Sequence, residues 1–235
     1  MSMIHAEART PRERRHDENL RRILDEAMRQ VEEGGFGALS INKLAEAVDY
    51  TPGALYRYFG SKDALLSALI ERVLGEVRDD LGRAQARLPA RAAPLVHVLA
   101  LADGYRAFAR REPHRFGLLA MSLAEPRILL REHAAAQPVM TMLLSAIQPL
   151  ADALAAAAHA GQLAAGNASE RTICVLAFLQ GVLPLRKRSR HVPRVLDVDR
   201  LTVEGMRALL VGWGARPRVV DAAVAEVARL RGGAS

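Results

Sequence analysis

One segment of 28 residues, Leu39 to Leu66, constrains the fold of this chain more than any other part of it. Ser40, Thr51 and Ser61 each stand immediately before a run of helix-forming residues, and their side-chain oxygens can accept hydrogen bonds from free backbone N–H groups at a helix N-terminus. Pro52 occupies the first position of the second run, where its missing N–H costs nothing. The segment therefore predicts two short helices joined by a tight turn and followed by a long third helix.

The second short helix carries several hydrogen-bonding side chains on one face. At helical spacing Leu55 and Phe59 point inward, which leaves Tyr56, Arg57 and Tyr58 outside. Two helices joined by a short turn are typical of a helix-turn-helix, whose second helix enters the major groove of DNA. We therefore interpret this segment as a DNA-binding element.

The ends of these helices are suited to phosphate groups. A helix N-terminus carries unsatisfied N–H groups and a partial positive charge, so the starts at Ser40 and Thr51 are candidate phosphate sites. Gly53 and Ala54 are small enough to let the second helix approach the bases. Lys62, at the start of the third helix, is placed to close the contact with the DNA backbone.

The net charge gives only weak support for this interpretation. The chain has 33 Lys and Arg against 26 Asp and Glu, for a net charge of +7. Residues 1–62 hold ten of each sign, so the surplus lies in residues 63–235, partly in the run RKRSR at 186–190. The local pattern, and not the overall charge, carries the prediction of DNA binding.

Three regions are expected along the chain. Residues 1–12 are expected to form a disordered arm of mixed charge, residues 13–62 the DNA-binding domain, and residues 63–235 a helical second domain. The arginines of this neighbourhood (Arg9, Arg12, Arg14 and Arg15) leave two readings open, a solvated tail or an arm that follows the phosphate backbone. Besides a first helix over 13–33, proline and glycine breaks predict helices near 95–110, 114–123, 127–134, 138–160, 168–188, 197–213 and 217–231.

Other function classes find little support in the sequence. Cys174 is the only cysteine, which excludes an intrachain disulfide and a cysteine-based zinc site, and its apolar neighbours predict a buried position. No two histidines lie three or four residues apart, and no Gly-rich phosphate loop or nucleophile elbow is found. We expect no catalytic residues, no metal site and no cofactor.

The sequence also favours a cytoplasmic location. The N-terminus is polar and lacks an apolar signal segment. The longest apolar stretch, Ile173 to Leu185, is too short to span a bilayer and contains Gln180 and Pro184. We therefore expect no membrane partner.

Residues 17–75 resemble the TetR family of bacterial repressors. The resemblance is carried by Leu44-Ala45, by TPGALYRYF at 51–59 and by Ser61-Lys62-Asp63. It implies that the phosphate contacts are made by Thr51, Tyr56, Tyr58 and Lys62. It also implies that the positions that vary with operator sequence are Asn42, Lys43, Ala54 and Arg57. The turn departs from the family pattern of Gly followed by an apolar residue.

At this turn the chain has Asp49 and Tyr50. Asp tolerates a left-handed backbone better than most residues, so the turn can form. Two positions stay open for Tyr50, which could pack on Leu55 or reach the DNA edge.

The resemblance further implies an all-α protein whose C-terminal domain binds a small effector and forms a homodimer. Interface candidates lie on the last helices at Ile173, Leu176, Ala177, Gly181, Met206, Leu209, Leu210 and Trp213. Effector-binding candidates, each alternatively a core residue, are Tyr105, Phe108, His114, Phe116, Met121 and Phe178. The scarcity of aromatic residues suggests an apolar effector, such as an acyl chain or a lipophilic drug.

The predicted function is that of a ligand-responsive transcriptional regulator, which binds a palindromic operator in double-stranded DNA as a homodimer. Regulators of this kind are usually repressors, so repression is the predicted mode of action. The small-molecule effector would lower DNA affinity by preferring a conformation with misplaced recognition helices. One alternative is a dimeric DNA-binding regulator without an effector. The other is an enzyme on a helical scaffold, for which no catalytic motif is found.

Overall fold

The structure, a computed structural model, describes residues 10–124, 133–186 and 196–232. Every regular element in these ranges is helical, which confirms the predicted all-α class. The N-terminal part comprises α1 (Pro11–Gly34), a 3₁₀ turn (Phe36–Ala38), α2 (Ile41–Ala47), α3 (Pro52–Phe59) and α4 (Lys62–Ala86). These bounds reproduce the two short helices and the long third helix that the cap residues predict.

The C-terminal part is also built from helices. They are α5 (Pro94–Arg111), α6 (Pro113–Ala124), α7 (His133–His159), α8 (Ala168–Val182), a 3₁₀ turn (Leu183–Leu185), α9 (Val198–Gly212) and α10 (Pro217–Gly232). Most of the predicted helix at 127–134, residues 1–9 of the predicted arm, and residues 187–190 of the basic run lie outside the described residues.

The first helix begins two residues earlier than predicted. Thr10 caps it, because its side chain accepts a hydrogen bond from the Glu13 backbone N–H at 3.3 Å. The Thr10 backbone N–H donates in return to the Glu13 carboxylate at 2.7 Å, which completes a capping box. Pro11 and Arg12, assigned to the arm by the sequence, are therefore helical.

Helix α7 continues through Pro138, where the sequence predicts a break between two helices. It begins at His133, and both Pro138 and Pro149 lie inside it. A proline removes one N–H from the helix ladder. The packing of α7 against α4, α5 and α8 supports the helix across these positions.

One continuous apolar core joins the two parts of the chain. In the N-terminal part Ile23, Leu44, Leu55 and Leu65 are at most 1% exposed. Helix α4 begins in this cluster and continues along α5, α6 and α7. Because α4 belongs to both parts, a displacement of its C-terminal half can reach the helix-turn-helix.

Two segments, Ala136–His159 and Ala168–Leu185, are long and apolar enough to cross a membrane by length and composition alone. Both pack against other helices of the C-terminal part, α7 against α4 and α5, and α8 against α7 and α9. Core helices of soluble proteins have the same composition, so these segments are weak evidence for a membrane span.

Candidate DNA-binding surface and effector cavity

The turn between α2 and α3 has the left-handed backbone that the sequence allows. Asp49 has a φ of 59°. The next backbone N–H, of Tyr50, donates to the Ala45 carbonyl at 2.8 Å. Arg22 of α1 donates to the Asp49 carboxylate at 2.9 Å. The turn is thus closed by its own backbone and connected to α1.

Tyr50, for which the sequence leaves two positions open, is half-buried and packs against the apolar core. Its ring stacks on Tyr58 at a centroid distance of 6.0 Å. His16 of α1 also stacks on Tyr58, at 5.0 Å, and the Asn19 side chain donates to the Tyr58 hydroxyl at 3.2 Å. This aromatic cluster holds the C-terminal end of α3 against α1.

The outer face of α3 is exposed in the predicted manner. Tyr56 is 46% exposed, Arg57 is exposed, and Arg57 makes no ion pair with any described residue. Thr51 caps the helix by accepting from the Ala54 backbone N–H at 3.2 Å. The exposed positions predicted to contact DNA are Asn42, Lys43, Thr51, Gly53, Tyr56, Arg57 and Lys62.

Three predicted DNA contacts have more constrained surroundings. Ala54 is only 9% exposed and packs inward, so a direct base contact by its side chain is corrected to a core role. Tyr58 is half-buried in the aromatic cluster. Ser40 is half-buried as the cap of α2, where it accepts from the Lys43 backbone N–H at 3.5 Å.

Lys62 has a positioning bond of its own. Its Nζ donates to the Leu39 carbonyl at 2.9 Å, which fixes the exposed side chain beside the start of α2. An ammonium group has three donors. Lys62 therefore retains hydrogen-bonding capacity for a phosphate oxygen.

An apolar cavity of about 100 Å³ lies in the C-terminal part, between α4, α5, α6, α7 and α8. Its wall consists of aliphatic side chains with a few polar groups. The lining residues are Ile70, Leu74, Val77, Leu81, Leu101, Ala102, Tyr105, Leu119, Ser122, Val139, Met140, Leu143, Ala146, Ile147, Leu150, Leu176, Leu179 and Gln180.

One polar pair interrupts the wall. The Gln180 side-chain nitrogen donates to the Tyr105 hydroxyl at 2.5 Å. Burial raises the pKa of Tyr105 far above its ordinary value, and the hydrogen bond from Gln180 lowers it only in part. The Tyr105 hydroxyl is therefore neutral at physiological pH.

Of the six effector-binding candidates, Tyr105 alone lines this cavity. Phe108 and Phe116 are buried core residues, and Phe116 packs edge-on against Tyr105. The remaining candidates lie elsewhere: His114 is exposed, Met121 is half-buried outside the lining, and Phe178 packs on Gly205 of α9. Sequence reasoning missed Gln180 as a cavity residue, although a lone amide in an apolar run was a usable signal.

The predicted interface residues separate into two groups. Ile173, Ala177 and Gly181 of α8 are exposed, and Ile173 is 61% exposed. Met206 and Leu210 are at most 2% exposed within one chain, so their assignment to an interface is corrected to the core. Leu176 lines the cavity, while Leu209 and Trp213 are half-buried.

Cys174 is exposed beside Ile173, contrary to the buried position that the sequence predicts. Its neighbours in sequence are apolar, as expected, but Cys174 lies on the side of α8 that faces away from the core. No group of His, Cys, Asp and Glu side chains suited to a metal ion occurs among the described residues.

An ion-pair cluster connects α6 to the DNA-binding part. Arg115 of α6 donates to Glu32 of α1 at 3.2 Å and to Glu76 of α4 at 2.8 Å. Leu119, one helical turn further along α6, lines the cavity. The same short helix therefore contacts both the cavity and α1.

An exposed α3 on a three-helix platform places the chain in the helix-turn-helix class of DNA-binding proteins. Residues 23–69 match the family model described as "Bacterial regulatory proteins, tetR family". Over this segment the chain is similar to the TetR family of bacterial transcriptional regulators, the family that the motif at 51–59 resembles.

Similar proteins agree with this assignment. The HTH-type transcriptional regulator BetI of Rhizobium meliloti (strain 1021) is 37% identical over 79 residues, which cover 34% of this chain and 37% of that regulator. The match thus spans little more than a third of the relative.

Solved structures with lower identity share the fold over most of the chain. A protein of unknown function from Rhodococcus sp. RHA1 superposes with a TM-score of 0.67 at 20% identity, covering 91% of this chain and 100% of that one. RolR, solved in complex with its ligand resorcinol, superposes with a TM-score of 0.58 at 18% identity, covering 90% of this chain and 95% of that one.

Proposed function

We propose that the protein is a cytoplasmic, ligand-responsive repressor that binds a palindromic operator as a homodimer and leaves it when a small apolar molecule fills the α4–α8 cavity. The exposed face of α3 on its capped platform is the observation that carries this proposal. No catalytic activity is part of it.

The proposed DNA-binding step rests on the different surroundings of two basic residues, Arg57 and Lys62. Arg57 is exposed and makes no ion pair with a described residue, and a guanidinium can read a guanine edge. Lys62 is held at 2.9 Å from the Leu39 carbonyl, beside the helix starts that favour phosphate. Arg57 then contributes to sequence preference, whereas Lys62 contributes to affinity for any sequence.

Binding to the DNA upstream of the protein's own gene, measured by fluorescence anisotropy at several salt concentrations, tests this step. Affinity should fall steeply with salt because phosphate contacts release counterions. Lys62→Ala should weaken all sequences about equally, and Arg57→Ala should change the preference among sequences. Arg87→Ala, which removes an exposed charge at the far end of α4, is the matched control. A flat salt response, or exchanged effects of the two variants, would contradict the assigned roles.

Dimerisation rests on the exposed side of α8. Ile173, Ala177 and Gly181 recur every four residues and therefore share one face. A Cβ added to Gly181 would meet no atom within 4 Å, so the face is open as well as apolar. Leu144, on the neighbouring α7, adds a side chain that is 55% exposed. A self-complementary patch of this kind suits a two-fold dimer, which a palindromic operator requires.

Light scattering tests the dimer. The unmodified protein should have about twice the chain mass of 25.6 kDa, and Ile173→Glu should convert it to a monomer at micromolar concentration. Val219→Glu places the same charge at a residue of α10 that is 37% exposed and should leave the mass unchanged. A dimer that persists in Ile173→Glu would place the interface elsewhere.

The effector step rests on the cavity and on its connection to α1. Leu119 lines the cavity and Arg115 of the same helix contacts Glu32 of α1. A ligand that displaces α6 can thereby change the position of the platform. The alternative, a dimeric regulator without an effector, is favoured if no small molecule that binds the protein alters its affinity for DNA.

A further inference from the structure

Among the residues that the structure describes, none that lines the cavity has a charged side chain. The polar side chains of the wall are Tyr105, Ser122 and Gln180. The Ser122 hydroxyl already donates to the Leu119 carbonyl at 2.8 Å. A carboxylate or an ammonium group bound here would be buried without a counter-charge, which is strongly unfavourable. The wall therefore selects a neutral ligand.

The polar pair has hydrogen-bonding capacity that the protein does not use. Tyr105 is 6% exposed, and its hydroxyl oxygen accepts from the Gln180 side-chain nitrogen at 2.5 Å. The Gln180 Oε1 is buried and has no hydrogen-bond partner among the described residues. Buried polar atoms are nearly always paired in folded proteins. The pair thus leaves an acceptor at Gln180 beside a hydroxyl hydrogen at Tyr105.

A hydroxyl group is complementary to this pair, since it offers one donor together with acceptor lone pairs. It can donate to the Gln180 Oε1 and accept from the Tyr105 hydroxyl. Exchange of the amide oxygen and nitrogen preserves the match, because the ligand then accepts from the Gln180 nitrogen and donates to the Tyr105 oxygen. An ether or a ketone only accepts, so it would leave an acceptor of the pair unsatisfied.

We propose that the effector is a neutral, largely apolar molecule with one hydroxyl group, which binds to Gln180 and Tyr105 while its hydrocarbon part fills the aliphatic end of the cavity. This inference rests on the proposed function, because it names the chemical class of the regulator's ligand. It excludes fatty-acid anions and cationic drugs as ligands of this cavity.

The cavity volume indicates the size of the ligand. An engineered cavity of roughly 150 Å³ lined by Leu, Ile and Phe stays dry and binds benzene, and this one has about 100 Å³. A phenol with one ring is thus of suitable size after small adjustments of the wall. Met140 in the wall has a flexible side chain that can supply such an adjustment.

Three ring compounds of similar shape test the proposal. They are 4-methylphenol, 1,4-dimethylbenzene and 4-methylbenzoate at pH 7, with binding measured by isothermal titration calorimetry and by thermal shift. We expect 4-methylphenol to bind at least about tenfold more tightly than 1,4-dimethylbenzene, because the hydrocarbon leaves buried polar atoms unpaired. We expect no binding of 4-methylbenzoate.

Variants of the polar pair separate recognition of the hydroxyl from general packing. Gln180→Met removes the amide at similar volume and should erase the preference for 4-methylphenol over 1,4-dimethylbenzene. Tyr105→Phe should reduce that preference. A purely structural role would instead weaken both compounds by the same factor. Gln148→Met, at an exposed glutamine of α7 outside the lining, is the matched control and should retain the preference.

The proposal is overturned if 4-methylbenzoate binds as tightly as 4-methylphenol, if the unmodified protein does not distinguish the phenol from the hydrocarbon, or if none of the three compounds binds at millimolar concentration. The same preparation is assayed for DNA binding. DNA binding without binding of any ring compound would overturn the effector class alone. The expected ring-compound pattern without DNA binding would support the cavity chemistry and overturn the proposed regulatory function.

Discussion

The candidate DNA-binding surface and the candidate effector cavity are joined by α4, but the sequence encodes them in different ways. Every residue predicted to contact DNA lies between Ser40 and Lys62, and caps and a turn of short range position them. The cavity lining runs from Ile70 to Gln180 and is contributed by five helices. Local signals therefore define the first site, whereas the second exists only once distant helices have packed.

The largest effect is expected where the surface depends on the core. Leu55 of α3 is 1% exposed, so Leu55→Ala should lower the free energy of unfolding by about 2–5 kcal/mol through lost burial and a new cavity. Urea denaturation measures this change, and DNA affinity should fall with it.

Val219→Ala is the control for this substitution. It truncates an apolar side chain of α10 that is 37% exposed and lies outside the proposed dimer face, so it should change the free energy of unfolding by less than about 0.5 kcal/mol. An unchanged urea midpoint for Leu55→Ala would contradict the docking of α3 on the platform.

A smaller effect is expected at the turn before α3. Asp49 has a φ of 59°, and a β-branched residue is strained there. Asp49→Ile should therefore lower the free energy of unfolding by about 1–2 kcal/mol, measured by urea denaturation. Asp49→Asn tolerates the same backbone but loses the ion pair with Arg22. In that pair the Arg22 side chain is 57% exposed and the Asp49 side chain is 86% exposed. Such exposed pairs contribute little, so Asp49→Asn should be nearly neutral. Equal losses in both variants would assign the effect to the ion pair.

The helix-turn-helix fold and the exposure of α3 could be predicted because their determinants are close in sequence. Thr51 and Ser61 cap the helices that they were expected to cap, and Tyr56 and Arg57 are exposed as their spacing predicts. The expected base contact of the Ala54 side chain was wrong because this residue lies on the face of α3 that packs against the core.

The C-terminal sites could not be predicted to the same depth. Apolar residues repeat on nearly every face of α8 and α9, so spacing alone does not distinguish a cavity wall from a core or an exposed face. Leu176, Met206 and Cys174 illustrate the three outcomes: one lines the cavity, one is buried and one is exposed. Tertiary packing, which brings Tyr105 beside Gln180 across 75 residues, decides among them.

The smallest expected effect concerns the connection between the two sites. Arg115 contacts Glu32 of α1 and Glu76 of α4, and its side chain is 26% exposed. A partly exposed pair contributes little to stability, so Arg115→Met should leave DNA affinity and ligand affinity each within about threefold. The factor by which bound ligand lowers DNA affinity should decrease, because α6 no longer holds α1 through these ion pairs.

The factor by which ligand lowers DNA affinity can be measured in two ways. DNA affinity is measured with and without the ligand found by thermal shift, and ligand affinity is measured with and without DNA. Thermodynamic linkage requires the two factors to agree. A reduction of the coupling free energy by about 0.5–2 kcal/mol is expected in Arg115→Met. Arg111→Met breaks ion pairs with Asp80 and Glu112 that do not reach α1, so it should retain the coupling. If the coupling free energy were equal in both variants and in the unmodified protein, the ion pairs of Arg115 would not transmit the effect of the ligand. The coupling would then pass through α4 alone, and α6 would line the cavity without affecting the position of α1.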